Sequence, residues 1–443
     1  MEPNKKPRKN GFLNLFHGLN ISHETLMDLA FESQLIRRRR GIDPADLLTA
    51  LCIESSQGTV SHNDLAAQLQ SDTGVSVSKI SVWKKINTRC LDFLKKVFEL
   101  VIRRKFAKNS LKPEALLFDR VVVQDSTIIR LPMRLFNDFS GVANAHSKVC
   151  NSRIQGVYDI VAERFLSFSI DSYSKVDYEA APELVLEKGD LTLRDRGYLT
   201  ADEIQRHIDL GADCIYRHKY KLILLDPVGE KPIDLLALLK KKNSIDMEIN
   251  LNNKARTKVR LLAFPVNQEI ACNRRRKAKK ENKKLPNADY LELLGWSIYL
   301  TTVRREIADA KKIFGLYKLR WRIEIIFKSW KSNMAFDRVH NVSKIQLWVI
   351  LWARFIMIVI CTQMIYTPCR FLVKAKLDKN LSLMKVTHYL IRHPKKLPLI
   401  LKELKKKHNK LGPMVEALAK YCSYDKRKRI NYQEEMEITL SLS

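Results

Sequence analysis

Paired cysteines are missing from this sequence of 443 residues. Its eight cysteines are scattered, and none of them forms a Cys-x-x-Cys pair. Zinc sites and disulfide frameworks depend on regularly spaced cysteines, so neither is expected, and reduced thiols in a cytoplasmic protein are the prediction. The first residues, MEPNKKPRKNGFLN, are basic but lack an apolar core, so no secretory signal is expected.

Acidic residues are also scarce: 48 Asp and Glu stand against 79 Lys and Arg, a formal net charge of +31. Such an excess attracts polyanions, so nucleic acid is the leading partner, with a ribosome-like environment or a membrane surface as alternatives. Basic clusters occur along the whole length, at 5–9, 37–40, 274–280, 405–407 and 426–429. Their spread favours a long contact surface over a single basic tail.

One apolar stretch, IQLWVILWARFIMIVICTQMI at 345–365, is long enough to span a bilayer. Arg354 lies at its middle, and a charge at that depth is costly in lipid. We therefore predict a buried helix of a soluble core and no membrane association.

Residues 1–112 show the spacing of apolar residues that is typical of helices. Within them, GVSVSKISVWKKI begins with Gly74 and offers Ser78 as a helix cap. Two short helices around this turn, with Lys79, Lys84 and Lys85 on the second, would suit a helix-turn-helix DNA reader. An ordinary helix pair is the alternative.

From residue 116 the pattern changes to β. LLFDRVVVQDSTIIRLP predicts a central strand, and RIQGVYDIVAER and FLSFSIDSYS predict two further, antiparallel strands. EKGDLTLRDRGYLTADEIQRHIDLG predicts strand, turn and helix, with Thr200 as the helix cap. Short β-like runs return over 213–305, interrupted by a basic segment at 273–284. From 306 the chain is predicted to be helical almost to its end.

Four polar side chains in YKLRWRIEIIFKSWK, at 317–331, share one side of a predicted helix. An α-helix advances about 100° per residue, so Tyr317, Arg320, Glu324 and Lys331 lie within about 60° of each other around the axis. The other sides of the helix are apolar, which is typical of a helix packed into a core. A narrow polar stripe on such a helix indicates a functional site.

Two further acids accompany Glu324. Asp125 follows the apolar run of the first strand, and Asp195 ends the strand LTLRD before a glycine that permits a sharp turn. Carboxylates with no nearby His or Cys cluster suit Mg²⁺ or Mn²⁺ rather than zinc. Two such ions support phosphodiester cleavage. Taken singly, each acid is equally consistent with an ordinary residue of a turn or a helix cap.

These motifs together resemble bacterial insertion-sequence DDE transposases with the YREK signature, the IS-four family. Tyr317, Arg320, Glu324 and Lys331 match the spacing of the signature, and QDST at 124–127 and DRGY at 195–198 resemble the two upstream acidic motifs. The resemblance covers roughly 116–365. It implies an α/β, ribonuclease-H-like catalytic core in two parts, 113–212 and 306–365, separated by a β-rich insertion at 213–305. A helical DNA-binding region, 1–112, and a basic helical region, 366–443, would flank this core.

The resemblance also implies roles for individual residues. Asp125, Asp195 and Glu324 would be catalytic ligands of two Mg²⁺ or Mn²⁺ ions, and Tyr317, Arg320 and Lys331 would contact DNA phosphates. By spacing, Arg217 would be a further phosphate contact. Trp296 would stack on a base flipped out of the duplex, unless it is a core residue.

The function that follows is cut-and-paste transposition of an insertion sequence, with hydrolysis and strand transfer at terminal inverted repeats and a hairpin intermediate. The partners would be double-stranded DNA, as repeat and as target, and a second copy of the chain in a paired-end complex. The location would be the bacterial cytoplasm, at the nucleoid. Two alternatives remain: a structure-specific ribonuclease-H-like nuclease, and an inactive DNA-binding repressor derived from a transposase.

Overall fold

The computed structural model describes residues 14–39, 41–104, 116–141, 148–228, 230–281, 285–406, 411–425 and 432–441. The predicted basic clusters at 5–9 and 426–429 lie outside these ranges, as do Arg40 and Lys407 of two others. The described residues form nine strands: β1 Arg120–Arg130, β2 Asn151–Asp159, β3 Arg164–Ser172, β4 Asp190–Arg194, β5 Asp213–Arg217, β6 Leu224–Leu225, β7 Ile245–Leu251, β8 Lys258–Pro265 and β9 Trp296–Thr301.

Nineteen helices accompany the strands in the described ranges. They are α1 Asn14–Gly18, α2 His23–Glu32, α3 Pro44–Gln57, α4 His62–Thr73, α5 Lys79–Lys85, α6 Thr88–Arg103, α7 Asp177–Ala180, α8 Ala201–Asp209, α9 Leu235–Lys242, α10 Gln268–Glu281, α11 Ala288–Leu293, α12 Ala310–Lys318, α13 Trp321–Asn333, α14 Lys344–Val359, α15 Thr367–Leu377, α16 Leu383–Arg392, α17 Leu397–Leu404, α18 Pro413–Tyr421 and α19 Tyr432–Leu440. A π-helical stretch, Ile360–Tyr366, joins α14 to α15.

All nine strands belong to one mixed sheet in the order β3-β2-β1-β4-β5-β9-β8-β7-β6. β1, β4 and β5 run parallel, and the remaining pairs are antiparallel. The predicted central strand, the two antiparallel strands after it and the strand before Asp195 are confirmed. Their runs of β-branched residues fit a sheet that is covered on both faces.

The segment 213–305 extends this sheet instead of forming a separate one. β5 pairs in parallel with β4, and β9 then pairs with both β5 and β8. The β-like runs predicted here are strands, but three helices, α9 to α11, lie between them. The basic segment at 273–284 falls largely on α10, a helix that the strand pattern did not indicate.

The apolar stretch at 345–365 is a core helix, as predicted. It lies within a continuous helix, Lys344–Leu377, that is long and apolar enough to cross a membrane, but 78% of its most apolar window is buried inside the protein. Arg354 is buried and donates hydrogen bonds to the carbonyls of Ser55, Gly58, Phe336 and Arg338, at 2.7–3.2 Å. These acceptors compensate for the loss of water around the guanidinium.

Two predicted helix caps are confirmed. Ser78 accepts a hydrogen bond from the Ser81 amide at the start of α5, and Thr200 accepts one from the Glu203 amide at the start of α8. Such caps satisfy amides that the first helical turn leaves unpaired. The amino-terminal region is helical from α1 to α6, and α6 packs on α14, so this region is anchored to the core helix.

Candidate active site

Asp125 lies within β1 and not at its end. The parallel pairing of β1 with β4 stops at Gln124 opposite Arg194, whereas the pairing with β2 continues to Arg130. The change from apolar to polar residues at Asp125 therefore marks the point where β1 loses one neighbour. The strand itself continues to Arg130, as the prediction of one strand through this motif requires.

Asp195 directly follows the last residue of β4. Asp125 and Asp195 thus each lie one residue beyond the Gln124–Arg194 pair, on neighbouring parallel strands, whose usual separation is about 4.8 Å. The Asp195 side chain has no hydrogen-bond or ion-pair partner among the described residues, and its charge contributes to raising the pKa of Asp125. The sheet topology thus brings the first two predicted acids together.

The polar stripe that contains the third acid spans two helices instead of one. α12 ends at Lys318 and α13 begins at Trp321. Between them, the amides of Leu319 and Arg320 bond to carbonyls only three residues back, at 3.0 and 3.2 Å, which forms a tight turn. Both turn residues keep right-handed helical angles, so the stripe remains directed at β1 and β4.

Glu324 is brought towards the strands by the packing of α13 on β2. Gly156, the partner of Asp125 in the β1–β2 pair, has no side chain, and a Cβ there would lie 3.2 Å from the ring of Phe327. The missing side chain lets the helix approach the sheet closely. Glu324, one turn before Phe327, is half-exposed, and its charge also raises the pKa of Asp125.

Arg320 connects the first and third acids. Its Nη1 lies 2.8 Å from Oδ2 of Asp125, and its Nη2 lies 2.6 Å from Oε1 of Glu324. Burial raises the pKa of Asp125 to about 6, against the lowering effect of the Arg320 charge. The guanidinium therefore partly neutralises a cluster of three negative charges that would otherwise repel one another.

The donor chemistry of this cluster fits a hard divalent cation, although its present arrangement does not coordinate one. In the parts of the chain that the structure describes, no three Asp, Glu, His or Cys side chains are grouped closely enough to hold a metal ion. A positively charged guanidinium already lies between two of the carboxylates. Carboxylate oxygens of this kind are the ligands that Mg²⁺ and Mn²⁺ prefer.

The other two members of the stripe contact backbone carbonyls. The Tyr317 hydroxyl is buried and lies 3.4 Å from the carbonyl oxygen of Arg194, next to Asp195. Lys331 donates from Nζ to the carbonyl of Ile128 at 2.8 Å, on the part of β1 beyond the β4 pairing. Tyr317 therefore lies beside the end of β4 that precedes Asp195, and Lys331 lies beside the part of β1 that follows Asp125.

Arg217 and Trp296 are associated with opposite faces of the sheet. Arg217 ends β5 opposite Tyr299, whose ring lies 5.0 Å from that of Tyr317. Trp296 begins β9, packs against the buried cluster on the other face of the sheet and donates from its indole to the carbonyl of Asn243 at 2.8 Å. Arg217 is thus near the candidate site, whereas Trp296 is held within the segment 213–305.

Sequence reasoning missed a polar network beside the acids. Asp177, on the short helix α7, accepts a hydrogen bond from the Ser126 hydroxyl at 2.8 Å and forms an ion pair with Arg153. Gln155 bonds to the carbonyl of Asp177 and to the hydroxyl of Tyr198, at 3.2 and 2.7 Å. The network ties β1 and β2 to the turn after Asp195. Ser126 and Tyr198 lie in the quoted motifs, but no pattern marks Asp177 or Arg153.

Three carboxylates gathered in this way offer the oxygen ligands that divalent ions need when they assist phosphodiester cleavage. The transposase DDE domain family matches residues 116–360, more than half of the chain. The chain belongs to this family. It is therefore a DNA transposase, and membership implies dependence on a divalent metal.

Relatives agree with this assignment. The transposase for insertion sequence element IS231E from Bacillus thuringiensis subsp. finitimus is 27% identical over 405 residues, covering 84% of each chain. The transposase for insertion sequence element IS1151 from Clostridium perfringens is 26% identical over 396 residues, covering 83% of each. Among solved structures, the cryo-EM structure of the piggyBac transposase synaptic complex with hairpin DNA is similar to this chain with a TM-score of 0.46 and 10% sequence identity. The superposition covers 96% of this chain and 88% of the piggyBac chain.

The prediction of an insertion-sequence DDE transposase is confirmed by the family match and by the two insertion-sequence transposases. The assignment to the subgroup with the YREK signature stays a prediction.

Proposed function

We propose that this transposase cuts an insertion sequence out of DNA at its terminal inverted repeats and joins it to a target, with Asp125, Asp195 and Glu324 as the catalytic carboxylates. The observation that carries the proposal is the register of β1 and β4, which places both aspartates just beyond the Gln124–Arg194 pair while Arg320 links Asp125 to Glu324.

We also infer that the catalytic core is ribonuclease-H-like. The order β3-β2-β1-β4-β5, with an antiparallel β1-β2-β3 meander and β1, β4 and β5 in parallel, supports this fold. The core would then comprise 113–212 and 306–365, as the resemblance to the YREK transposases implies. β5, at the start of the insertion, would contribute the last parallel strand.

Asp125, Asp195 and Glu324 would hold the metal, Mg²⁺ or Mn²⁺, with two ions in each site. When bound, such ions activate a water or a 3′-hydroxyl and stabilise the leaving oxygen of a phosphodiester. An ion bound through Asp125 Oδ2 and Glu324 Oε1 would compete with Arg320, which contacts those two oxygens. A DNA phosphate is the anion that the freed guanidinium would then contact, in the role predicted for this residue.

Tyr317 and Lys331 would act on the DNA backbone at the edge of the same site. Lys331 is only half-buried, and its flexible stem lets the ammonium leave the Ile128 carbonyl for a phosphate. The Tyr317 hydroxyl would have to leave the Arg194 carbonyl. Arg217, half-buried at the end of β5, would provide a further phosphate contact.

The amino-terminal region, 1–112, would bind the repeats through α4 and α5. Lys79 and Lys84 are exposed on α5, and Trp83 between them is 57% exposed. Lys85, in contrast, donates to the carbonyl of Leu35 at 2.9 Å and joins α5 to the rest of the region. Two free lysines around an exposed aromatic ring suit a helix that contacts DNA.

Further details of the proposal rest on the resemblance to the YREK transposases. The enzyme would work in the bacterial cytoplasm, at the nucleoid, as a homodimer that holds two transposon ends. Each freed 3′-hydroxyl would attack the opposite strand to form a hairpin, with Trp296 stacking on a flipped base. The basic region 366–443, in which α15 to α19 lie, would contribute contacts to the partner or to the ends.

The experiment is incubation of the purified protein with Mg²⁺ and a labelled duplex that carries the terminal sequence of the element encoding it. The expected products are a free 3′-hydroxyl at the element end and, with added plasmid, end-joined molecules. Cleavage of branched DNA without preference for the terminal sequence would instead identify a structure-specific nuclease. Binding without any cleavage would identify a repressor.

A further inference from the structure

Two arginines near the candidate site lack an acidic partner. Arg217, at the end of β5, and Arg274, on α10, form no ion pair with any carboxylate in the ranges that the structure describes. Arg320, in contrast, is paired with two acids. Half-buried guanidinium groups without acids attract an anion from solution.

The strand β9 brings these two arginines to the same face of the sheet. Arg274 donates from Nη2 to the Ser297 hydroxyl at 3.1 Å and from Nη1 to the carbonyl of Trp296 at 3.0 Å. Arg217 is the register partner of Tyr299, two residues further along β9. Since alternate residues of a strand share a face, Ser297 and Tyr299 place both arginines on the side of α12.

Electrostatics agrees with this placement. The charge of Arg217 contributes to lowering the pKa of Arg274, after the larger effect of burial. The charges of Arg217, Arg274 and Arg320 all oppose the burial that raises the pKa of Tyr299. All three guanidinium groups are therefore close enough to act on the same buried tyrosine.

Basic side chains continue outward from Arg274. A cavity of about 590 Å³ between β8 and α12 borders Ser297, the hydroxyl partner of Arg274, but its lining includes Asp246 and Asp309 and neither of the two arginines, so a phosphate held by them would lie beside it and not within it. On the outer side of Arg274, α10 carries four exposed cations: Arg276, Lys277, Lys279 and Lys280. The predicted basic segment is thus a charged helix that leads to the two unpaired arginines.

We propose that Arg274 and Arg217 together bind one backbone phosphate of the DNA strand that enters the active site, and that α10 directs the flanking DNA towards it. This inference rests on the proposed function, since it takes the strand cleaved by the carboxylates as its ligand. Arg274 is then a DNA-binding residue of the insertion. A planar guanidinium suits the bidentate recognition of phosphate, and a pair of them gives the strand a fixed position.

The test measures binding of a terminal-sequence duplex in EDTA, so that cleavage plays no part. In a series of duplexes, one phosphate of the cleaved strand at a time is replaced by an uncharged methylphosphonate. At one position, we expect the methylphosphonate to weaken DNA binding by the wild-type protein but not by Arg274→Gln. This position is the sensitive position. The slope of log affinity against log salt should also fall by about 0.9 in this variant.

Arg275→Gln is the matched control, because it removes the same charge from the same helix while its Nε donates to the carbonyl of Leu291, away from the site. It should retain the sensitive position, because its guanidinium is not directed at the proposed phosphate site. Arg217→Gln should become insensitive to the same phosphate replacement as Arg274→Gln. It is a second test of the site in case Arg274→Gln, which loses contacts to backbone carbonyls, does not fold. Melting curves are recorded for all three.

An unchanged sensitive position in both Arg217→Gln and Arg274→Gln would overturn the inference, as would equal losses in Arg275→Gln. Failure of the proposed function has a different signature, since the wild-type protein would then not cleave the terminal duplex in Mg²⁺, whatever its binding. If the wild-type protein cleaves the duplex but the two arginine variants remain sensitive to the same phosphate replacement, the proposed function is retained and only the phosphate site is excluded.

Discussion

At the residue scale, Arg320 determines the state of the acidic cluster. A single side chain in the turn between α12 and α13 contacts Asp125 and Glu324 at once. Its charge relieves repulsion among three carboxylates, and it also occupies the position of a cation. If Asp125 and Glu324 hold the divalent metal, as we propose, the ion competes with Arg320 for the two oxygens that the guanidinium contacts.

This competition predicts that Arg320→Gln binds Mg²⁺ more tightly than the wild-type protein when DNA is absent. Removing the guanidinium leaves the carboxylates with no cation, so an added ion gains more. We expect about a tenfold higher affinity, equivalent to about 1.4 kcal/mol, and a larger rise of the melting temperature with Mg²⁺. Lys318→Gln, an exposed change of the same charge, is the control. An identical Mg²⁺ response in the two variants would contradict the competition.

Trp296 allows a second prediction at this scale, because its two possible roles have different consequences. If it stacks on a flipped base, Trp296→Ala should nick transposon ends normally but form hairpins one to two orders of magnitude more slowly, matching the loss of about 1–3 kcal/mol of stacking. If it is a core residue, as its bond to Asn243 suggests, the variant loses about 3–5 kcal/mol of stability and all activities fall together.

The measurement is a time course on end-labelled DNA that resolves nick from hairpin, beside a melting curve. Normal hairpin kinetics in a well-folded variant would exclude the flipping role.

At the scale of elements, the long helix that begins with α14 joins the amino-terminal region to the core. It packs against α3 and α6, and Arg354 at its centre binds carbonyls from the end of α3 and from the segment after α13. Because carbonyls from two regions share one guanidinium, this helix fixes their relative position. The charge that argues against a membrane span thus has a structural role.

Arg354→Met should therefore destabilise the fold although methionine is apolar and suits a core helix. The change leaves four buried or half-buried carbonyls without their donor, and each unsatisfied group costs about 1–3 kcal/mol. We expect a loss of at least about 2 kcal/mol, seen as a lower melting temperature. Arg392→Met, at an exposed position on α16, should change stability by no more than about 0.5 kcal/mol. Equal melting temperatures of the two variants would show that the Arg354 contacts contribute little.

At the scale of the whole molecule, the sequence was most informative where local pattern and fold coincide. β-branched runs predicted β1 to β4, and a charge inside an apolar helix predicted a buried core helix. The spacing predicted that Tyr317, Arg320, Glu324 and Lys331 share one side of a helix, although the stripe spans two helices. These inferences succeeded because period and burial are local properties of a segment.

What could not be predicted depends on pairing between distant segments. No local pattern indicates that β9 pairs with β5, so the sequence did not predict that the segment 213–305 extends the same sheet. The helical spacing of apolar residues continues across Leu319 and Arg320, so the sequence did not predict the turn between α12 and α13. The convergence of Ser126, Arg153 and Asp177 and the placement of Arg274 beside Ser297 are likewise products of tertiary contact.

The central claim is that Asp125, Asp195 and Glu324 perform the chemistry while the cationic surface supplies the affinity for DNA. Single-turnover cleavage of a terminal-sequence duplex in Mg²⁺, measured beside binding of the same duplex, tests it directly for Asp125→Asn, Asp195→Asn and Glu324→Gln. Each variant should lose about a thousandfold in cleavage rate, or about 4 kcal/mol of barrier, and bind the duplex about as well as the wild-type protein. Glu306→Gln, at an exposed position, should cleave normally. Cleavage near the wild-type rate by any of the three variants would contradict the assignment of that acid.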